Sequence, residues 1–274
     1  MIFLHAETAK ELIQGIENGF KHLELSMDLG RTITRVDLSE PYWNPEQLEK
    51  ITEDPESIFF VRDGEFYKAA ISVDHFYKLF PTGRKSAPAL MIDGVLMHRV
   101  KDVDPIQDAE MKAELCARKG IDVLDICTGL GYSTIACLRR GVRSVITIEK
   151  DHHVLELSKL NPWSSELHSD ERVSIIHGDA VERIEEFDAE SFDSVLNDPP
   201  RFSMGSDLYG TEFYSQIFRV LKPRGILFHY VGSPGGRYRK RDLPKGVIQR
   251  LRHVGFEHVR RNNRTLGILA KRPG

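Results

Sequence analysis

The chain has 274 residues, of which 41% are hydrophobic and 29% charged, and its formal net charge is −3. This length can bury one large core or a medium core with a smaller attached domain, and the composition is that of an ordinary globular protein. Because no apolar run approaches the roughly 20 residues of a membrane-spanning helix and the first residues lack a secretory layout, we expect a cytoplasmic protein without membrane contact.

Residues 1–104 are predicted to form a small β-rich domain. A helix is expected in ETAKELIQGIENGF, and HLELSMDLGRTITRVDL alternates polar and apolar residues around a turn. In IFFVRDGEFYKAAIS, Asp63-Gly64 lies between two strand-like runs, which is a strong hairpin signal. The segment PALMIDGVLMHR adds another strand candidate.

Residues 105–274 show a different pattern, in which short apolar strands alternate with helices. A helix in PIQDAEMKAELCARKG precedes five predicted strands, IDVLDICT, SVITIE, RVSIIH, FDSVLN and GILFHYV. Helices are predicted between them in STIACLRRG, HVLELSKL, AVERIEEF and EFYSQIFRVLKPRG. This order predicts an α/β fold with a doubly wound, mostly parallel seven-stranded sheet. FEHVRRNN and RTLGILAKR are too close for a helical crossover, so an antiparallel C-terminal hairpin is expected.

Acidic residues and glycines follow the first three of these strands. Asp125 ends the first strand, and Gly129 and Gly131 lie in the turn before the next helix. Glycines at such a turn let the backbone approach a ligand, and a helix N-terminus favours a carboxylate or phosphate. Glu149 ends the second strand, 18 residues after Gly131, where it can bind ribose hydroxyls. These residues alone also fit a nicotinamide dinucleotide fold.

Two further strand ends distinguish these alternatives. The third strand ends in His177-Gly178-Asp179-Ala180, and the fourth in Asn197-Asp198-Pro199-Pro200. Together with the Gly loop and Glu149, they resemble the class I S-adenosylmethionine-dependent methyltransferases over roughly residues 105–274. The resemblance implies a Rossmann-like fold and S-adenosylmethionine as cofactor, with the Gly loop at its amino-acid part, Glu149 at its ribose and Asp179 at its adenine. The implied cofactor residues, here called the donor side, are Asp125, Thr128, Gly129, Gly131, Glu149, Lys150, Gly178, Asp179, Ala180 and Asn197.

The Asp-Pro-Pro segment is the predicted acceptor side. Consecutive prolines cannot continue a central strand, because neither donates a backbone N–H group. The resemblance implies that Asn197, Asp198, Pro199 and Phe202 form the catalytic set, with Asp198 orienting or deprotonating a nucleophilic nitrogen. Arg201 occupies the slot that is aromatic in the family motif, and Phe202 follows it. This variant is similar to some RNA methyltransferases that act on cytosine C5 or guanine N7.

The three cysteines, Cys116, Cys127 and Cys137, show no paired spacing, so neither disulfides nor a metal site is predicted. Methylation of cytosine C5 needs a cysteine thiolate that adds to the ring. All three precede the second strand of the predicted sheet, and none is expected near the acceptor side. The sequence therefore disfavours cytosine C5 as the target.

Two alternatives to methyl transfer stay open. The layout from LMIDGVLMHRV to LKPRG also resembles spermidine synthase and its relatives, in which an aminopropyl group passes from decarboxylated S-adenosylmethionine to an amine. Under that resemblance Asp198 would deprotonate the amine, and Asp93-Gly94 would line the donor pocket. Met97 stands in place of that family's glutamine, and the Gly-Gly-Gly-Asp-Gly type of loop is reduced to Thr128-Gly129-Leu130-Gly131. The other alternative is a non-catalytic RNA or protein adaptor.

RNA is the predicted partner because of the C-terminal charge. From Arg219 onward the chain has 15 of its 38 Lys and Arg residues but 2 of its 41 Asp and Glu residues. Arg237, Arg239, Lys240 and Arg241 alternate with Tyr238 in this segment, a composition that suits phosphates and a stacked base. Pairing with the acidic remainder of the chain is the other interpretation, and a protein or small anionic acceptor stays possible.

Overall fold

The computed structural model describes residues 1–232 and 242–274. Contacts divide the chain into two compact units, Met1–Ile106 with His153–Ser165 and Gln107–His152 with Glu166–Gly274. The domain boundary at residue 104 lies near the first of these divisions, and the existence of two separate domains stays a prediction. Among the described residues, no helix has both the length and the apolar character that crossing a membrane requires.

The Met1–Ile106 part of the first unit is built from short antiparallel sheets and two helices. Its strands are β1 (Ile2–Leu4), β2 (His22–Leu25), β3 (Thr34–Asp37), β4 (Phe59–Arg62), β5 (Glu65–Lys68), β6 (Ala70–Ser72), β7 (Phe76–Phe80), β8 (Ala89–Ile92) and β9 (Val95–Leu96), and its helices are α1 (Ala6–Glu17) and α2 (Pro45–Thr52). Within the described residues these strands form sheets of order β1-β4-β5, β2-β3 and β6-β7-β8-β9. The β-rich character predicted for this region is confirmed.

The hairpin predicted at Asp63-Gly64 joins β4 to β5. Arg62 pairs with Glu65, and the two turn residues have φ angles of 53° and 80°. Positive φ at both positions suits an Asp-Gly pair, because the resulting turn matches the twist of the flanking strands. Helix α2 was not predicted, although the Asn44 side chain accepts the Glu46 N–H group and Pro45 occupies the first turn.

The remaining elements alternate between helix and strand, as predicted. They are α3 (Pro105–Cys116), β10 (Asp122–Ile126), α4 (Tyr132–Arg139), β11 (Ser144–Glu149), α5 (His152–Leu160), α6 (Ser165–Ser169), β12 (Val173–His177), α7 (Ala180–Arg183), β13 (Phe192–Asn197), α8 (Thr211–Val220), β14 (Leu221–Tyr230), α9 (Leu243–Val254), β15 (Glu257–Asn262) and β16 (Gly267–Lys271). Short 3-10 turns occupy Pro162–Ser164, Ile184–Glu186 and Ser206–Tyr209.

In the described part of the chain, strands β10 to β16 form a seven-stranded sheet of order β12-β11-β10-β13-β14-β16-β15. The first four pairs are parallel, whereas β16 runs antiparallel to both β14 and β15. The predicted fold class, including the antiparallel C-terminal hairpin, is confirmed. Because β10, β11, β12 and β13 are parallel neighbours, their carboxyl ends meet at one end of the sheet.

Two helices differ from the sequence-based expectation. Helix α8 was predicted to continue through LKPRG, but it ends at Val220, and Leu221 is extended and pairs with Phe192 of β13. Pro223 explains this, since it lacks an N–H group and disfavours the helical conformation at Lys222. Helix α9 was not predicted, despite an Asp242 cap on the Lys245 N–H group and a left-handed Gly255 at its end.

Buried side chains of the second unit pack the central strands of its sheet against helix α8. Leu124, Val195 and Leu227 on three neighbouring strands are fully buried and belong to one cluster with Tyr214 and Ile217 of α8. Burying a side chain of this size stabilises the fold by about 1.5–3 kcal/mol. The strand ends that carry the candidate site residues therefore follow segments that are anchored in the core.

Candidate functional site

The donor loop follows β10 and requires left-handed backbone. Cys127, Gly129 and Gly131 have φ angles of 69°, 55° and 80°, and Gly131 is the N-cap of α4. A Cβ atom built on Gly131 would lie 2.5 Å from Cδ2 of Leu167. Glycine at this position is thus required both by the backbone conformation and by the close approach of α6.

Asp125 lies beneath this loop with no exposed surface. Its Oδ2 atom accepts hydrogen bonds from the hydroxyl groups of Ser133 at 2.8 Å, Thr134 at 2.6 Å and Thr147 at 3.3 Å. Oδ1 is buried and has no hydrogen-bond partner within the described residues. Burial raises the pKa of Asp125 to about 7. This carboxyl group fixes the first turn of α4 and keeps one oxygen that a further donor can satisfy.

Glu149 connects the end of β11 to the donor loop. Its Oε2 atom accepts the Gly129 N–H group at 2.8 Å, and Oε1 accepts the Asp151 N–H group at 3.0 Å. The residue is half-buried, and burial raises the pKa of its carboxyl group. Glu149 therefore holds the loop in place and presents a carboxylate at the position where a ribose is expected.

Asp179 follows β12 and caps α7. Its Oδ1 atom accepts the Val181 N–H group at 2.9 Å, and Oδ2 accepts from the Lys150 ammonium at 2.7 Å. The pKa of Asp179 is lowered, since these hydrogen bonds outweigh the opposing desolvation. Gly178 leaves room for the Arg183 side chain, which a Cβ atom would meet at 2.3 Å from Nε. Ala180 is buried beside this cap.

The structure brings the predicted donor residues of three strands to one end of the sheet. β10 pairs with β11 and β11 with β12, so that Asp125, Glu149 and the residues after His177 follow adjacent strands. Thr128, the remaining loop residue, is buried and its hydroxyl bonds that of Thr147 at 2.7 Å. This geometry fits an adenosine-containing cofactor: carboxylates for hydroxyl and amino groups, and a glycine loop open to close approach.

The acceptor segment is tied directly to the donor strand. Asn197 pairs with Ile126 in the sheet, and the Asp198 N–H group donates to the Ile126 carbonyl at 3.2 Å. Asp198 is partly exposed, whereas Pro199 is buried. The donor loop and the Asp-Pro-Pro segment therefore begin from neighbouring positions on adjacent strands.

Asn197, a predicted ligand contact, has a buried side chain, and its contact with a ligand stays a prediction. It has no exposed area, its Nδ2 group donates to the Leu208 carbonyl at 3.4 Å, and its Oδ1 atom has no partner among the described residues. In this conformation Asn197 supports the acceptor segment from below. Asn197 is the last residue of β13, which is a central strand of the sheet.

Lys112 was not predicted, yet its ammonium forms an ion pair with Asp198. Its ammonium lies 2.6 Å from Oδ2 of Asp198 and 2.7 Å from Oδ2 of Asp108, and the Lys112 side chain is only 7% exposed. It also lies 4.4 Å from the ring centroid of Tyr230. Desolvation opposes the charge of Lys112, but the two aspartates together outweigh it and raise the pKa, so the ammonium remains charged. The available sequence signal is Asp108 and Lys112 at i, i+4 spacing on α3.

Aromatic residues hold the remainder of the acceptor segment. The Tyr209 hydroxyl donates to the Pro200 carbonyl at 2.9 Å, and the Phe202 ring stacks edge-on against Tyr209 with centroids 5.4 Å apart. Phe202 is nevertheless 42% exposed, next to an exposed Arg201. The structure thus leaves an aromatic face and a guanidinium accessible beside the Asp-Pro-Pro turn.

A buried histidine supports this arrangement from β14. His229 has no exposed surface, and burial lowers its pKa to about 3, so the imidazole is neutral. Its Nε2 atom lies 3.0 Å from the Tyr214 hydroxyl and its Nδ1 atom 3.4 Å from the Asn197 carbonyl. This chain of contacts links α8 to the end of β13, and only the three-dimensional fold brings these residues together.

The expectation that no cysteine lies near the acceptor side was wrong. Cys127 directly follows Ile126, whose carbonyl accepts the Asp198 N–H group, and the charge of Asp198 acts on the Cys127 thiol. Desolvation and the negative charges of Glu149 and Asp198 raise the pKa of Cys127 well above its ordinary value. A thiolate nucleophile is therefore disfavoured by electrostatics rather than by distance.

The predicted RNA-binding residues Arg237, Arg239, Lys240 and Arg241 lie outside the described residues. Other cations of the basic C-terminal segment bind acidic residues of the second unit. Lys222 pairs with Asp193 at 2.9 Å, and Arg272 pairs with Glu190 at 2.8 Å. Part of the charge asymmetry is thus neutralised internally.

Comparison with known proteins places the chain in a family. It is 52% identical over 227 residues to uncharacterized protein MJ1233 of Methanocaldococcus jannaschii, a span of 82% of this chain and 77% of that protein. The chain is therefore a member of the MJ1233 family. Residues 110–229 also match the family described as Conserved hypothetical protein 95.

Several proteins with lower identity to this MJ1233 family member are enzymes. Polyamine aminopropyltransferase 2 of Streptomyces coelicolor is 33% identical over 124 residues, covering 43% of this chain and 22% of that protein. Demethylmenaquinone methyltransferase of Staphylococcus aureus is 34% identical over 121 residues, covering 42% and 44%. A spermidine synthase crystallised with the transition-state analogue AdoDATO aligns with a TM-score of 0.61 at 20% identity over 78% of this chain and 79% of that one. The fold is accordingly spermidine synthase-like.

Proposed function

We propose that this protein is an S-adenosylmethionine-dependent methyltransferase that acts on a nitrogen of RNA. The observation that supports this most directly is the hydrogen bond between the Asp198 N–H group and the Ile126 carbonyl at 3.2 Å. It ties the Asp-Pro-Pro segment to the strand from which the glycine loop emerges. A methyl donor in the loop and an acceptor nitrogen at Asp198 would then be neighbours.

The donor side assigns separate roles to its residues. Glu149 would accept from the ribose hydroxyls, Asp179 from the adenine amino group, and the loop around Gly129 and Gly131 would hold the amino-acid part. The cofactor supplies a methyl group on a positively charged sulfur. The carboxylates of Glu149 and Asp179 would suit this cation, and the unpartnered Oδ1 atom of Asp125 would gain from an added hydrogen-bond donor.

The acceptor side would act mainly by positioning. A nitrogen must point its lone pair at the methyl carbon, in line with the bond to sulfur that breaks. The Asp198 carboxylate and the backbone carbonyl of Pro199 can accept the two N–H groups of an amino group and so aim that lone pair. Within the described residues, the Pro199 carbonyl accepts no hydrogen bond, whereas the Pro200 carbonyl is bound by Tyr209.

RNA is proposed as the acceptor because of the accessible side chains beside this turn. Phe202 and Met204 are 42% and 49% exposed, and Arg201 is exposed between them and Asp198. An aromatic ring can stack on an unpaired base, and a guanidinium can bind a phosphate. The basic residues at 237–241 would extend this surface along the sequence.

Aminopropyl transfer is the second candidate, favoured by the similarity to polyamine aminopropyltransferases. One feature of the donor loop argues against it. Leu130, between the two glycines, is apolar and fully buried, so the loop has no carboxylate there to repel the carboxylate of intact S-adenosylmethionine. The loop is therefore better suited to the complete cofactor.

Calorimetry with three ligands tests the proposal. The purified protein is titrated with S-adenosylmethionine, its demethylated product and the decarboxylated form. Tight binding of the first two supports methyl transfer, and tritiated methyl transfer into total RNA, with ribonuclease-treated and protein controls, then identifies the acceptor class. Preference for the decarboxylated form would instead favour aminopropyl transfer. Absence of binding to all three would favour an adaptor.

A further inference from the structure

We infer that Lys112 is a specificity-determining residue that makes the acceptor side reject alkylammonium groups and admit uncharged amino groups. This inference rests on the proposed function and narrows its acceptor class. The observation behind it is the placement of a buried ammonium between Asp108 and Asp198, in direct contact with the carboxylate that meets the acceptor.

Burial makes this ammonium a fixed part of the site. The side chains of Lys112 and Asp108 are 7% and 5% exposed, whereas that of Asp198 is 25% exposed. The ammonium thus joins a buried carboxylate to a partly exposed one. The Tyr230 ring at 4.4 Å covers the ammonium from another direction. A buried charge with two carboxylate partners and an aromatic contact has little freedom to move away.

The contact changes what Asp198 can do. Oδ2 of Asp198 is bound at 2.6 Å to an ammonium that it shares with Asp108, so an incoming group meets a cation directly beside this carboxylate. An aliphatic amine carries a proton near neutral pH, so its transfer chemistry needs a free carboxylate that attracts the cation and removes the proton. An exocyclic amino group of a nucleobase is uncharged, so before attack it needs only a hydrogen-bond acceptor, and after methyl transfer the nitrogen passes one proton to Asp198 or to water. Asp198 meets the second requirement, and Lys112 opposes the first.

The other charged or titratable groups near Asp198 do not replace Lys112. Asp125 and Cys127 face it from β10 and the loop, and Tyr209 faces it from the turn after β13. None of these three is a cation. Arg201, three residues after Asp198 in the chain, is exposed. Lys112 is a buried cation that directly contacts the Asp198 carboxylate.

Spermidine is the probe for the alkylammonium class. The protein is first saturated with the demethylated product of S-adenosylmethionine and then titrated with spermidine by calorimetry. We expect no saturable binding to wild type below about 1 mM. The double variant Asp108→Asn/Lys112→Met should bind spermidine at least about tenfold more tightly, with affinity that falls as salt is raised.

The double variant is chosen because Lys112→Met alone could unfold the protein. Lys112→Met alone would leave two carboxylates close together, with Asp108 buried and without its ammonium, whereas the double variant removes both buried charges. Lys112→Arg is the matched control, because it keeps the positive charge and should continue to reject spermidine. Unchanged binding of the demethylated product verifies that each variant is folded at the donor side.

Two outcomes would overturn the inference. One is saturable spermidine binding to the wild-type complex, and the other is a folded double variant that still rejects spermidine. Failure of the proposed function is seen separately, in the cofactor titrations. If the wild type binds none of the three cofactors, the same spermidine titrations are run without a cofactor. If the wild type prefers decarboxylated S-adenosylmethionine and also binds spermidine, both the inference about Lys112 and the proposed methyltransferase function are refuted.

Discussion

The donor side and the acceptor side lie at the same end of one sheet, but the groups that bind Asp125 and Glu149 differ from the group that binds Asp198. On the donor side, Glu149 is held by backbone N–H groups, and Asp125 is held by hydroxyl groups and retains an unpartnered oxygen. On the acceptor side, Asp198 is bound by a buried ammonium. Desolvation raises the pKa of Asp125 and Glu149. Asp179, also on the donor side, is paired with the Lys150 ammonium, and its pKa is lowered. The carboxylates around the glycine loop are thus held by neutral hydrogen-bond donors, whereas Asp179 and Asp198 each have an ammonium within hydrogen-bond distance.

The largest expected effect is on the acceptor side. Asp198→Ala should lower the rate of methyl transfer by about 10²–10³-fold, because an acceptor for the attacking amino group is lost. Calorimetric affinity for S-adenosylmethionine should stay within about twofold of wild type, and single-turnover transfer into RNA measures the rate. The exposed neighbour Asp207→Ala serves as control. Full activity of the Asp198 variant would remove this residue from the mechanism.

Glu149→Gln tests the donor side and should affect cofactor affinity more than the rate of methyl transfer. A charged acceptor bond to a ribose hydroxyl contributes about 1.5–3 kcal/mol, so affinity for S-adenosylmethionine should fall roughly 10- to 100-fold. Turnover at saturating cofactor should change much less. Glu171→Gln, an exposed substitution at the other end of β12, provides the matched control. A fall in turnover with unchanged affinity would contradict the division between the two sides.

Asp125→Asn tests the donor side through the pH dependence of the unfolding free energy. The pKa of Asp125 in the fold is raised to about 7, so its contribution to stability is complete below about pH 4 and is lost as pH rises through about 7. Wild type should lose up to about 1.4 kcal/mol of unfolding free energy per pH unit in this window, relative to the variant. His229, whose pKa is lowered to about 3, has the opposite trend.

The measurement for Asp125 is therefore a difference between two proteins. Urea unfolding of wild type and Asp125→Asn is compared at several pH values from about 4.5 to about 8, so that the contribution of His229 cancels. The advantage of the variant should grow with pH. A difference that does not depend on pH would show that Asp125 is ionised at all of them.

The smallest expected effect concerns the support of the acceptor side. Tyr214→Phe removes the hydroxyl that contacts His229 Nε2 at 3.0 Å and should cost about 1 kcal/mol of unfolding free energy. Because His229 contacts the Asn197 carbonyl, methyl transfer should also slow, while cofactor affinity is retained. Tyr67→Phe, at a tyrosine that is 48% exposed, is the control for loss of a hydroxyl. Equal effects of both substitutions would show that the buried contact contributes nothing.

The sequence by itself determined the fold class and predicted which strand ends carry the candidate donor and acceptor residues. Alternating strands and helices, the glycines around Leu130 and the acidic strand ends at Asp125, Glu149 and Asp179 are local signals, and parallel strands necessarily bring such ends together. The Asp-Gly hairpin was also predictable, since its turn type depends on two adjacent residues.

The tertiary structure alone decided which residues complete the acceptor side. Lys112 is 86 residues from Asp198 in sequence and Tyr214 is 15 from His229, and no local periodicity relates either pair. Pairing of β13 with β10 likewise placed Cys127 beside Asp198 and buried Asn197. The energies of these contacts depend on burial and on distances of a few ångströms, which are set by packing between elements distant in sequence.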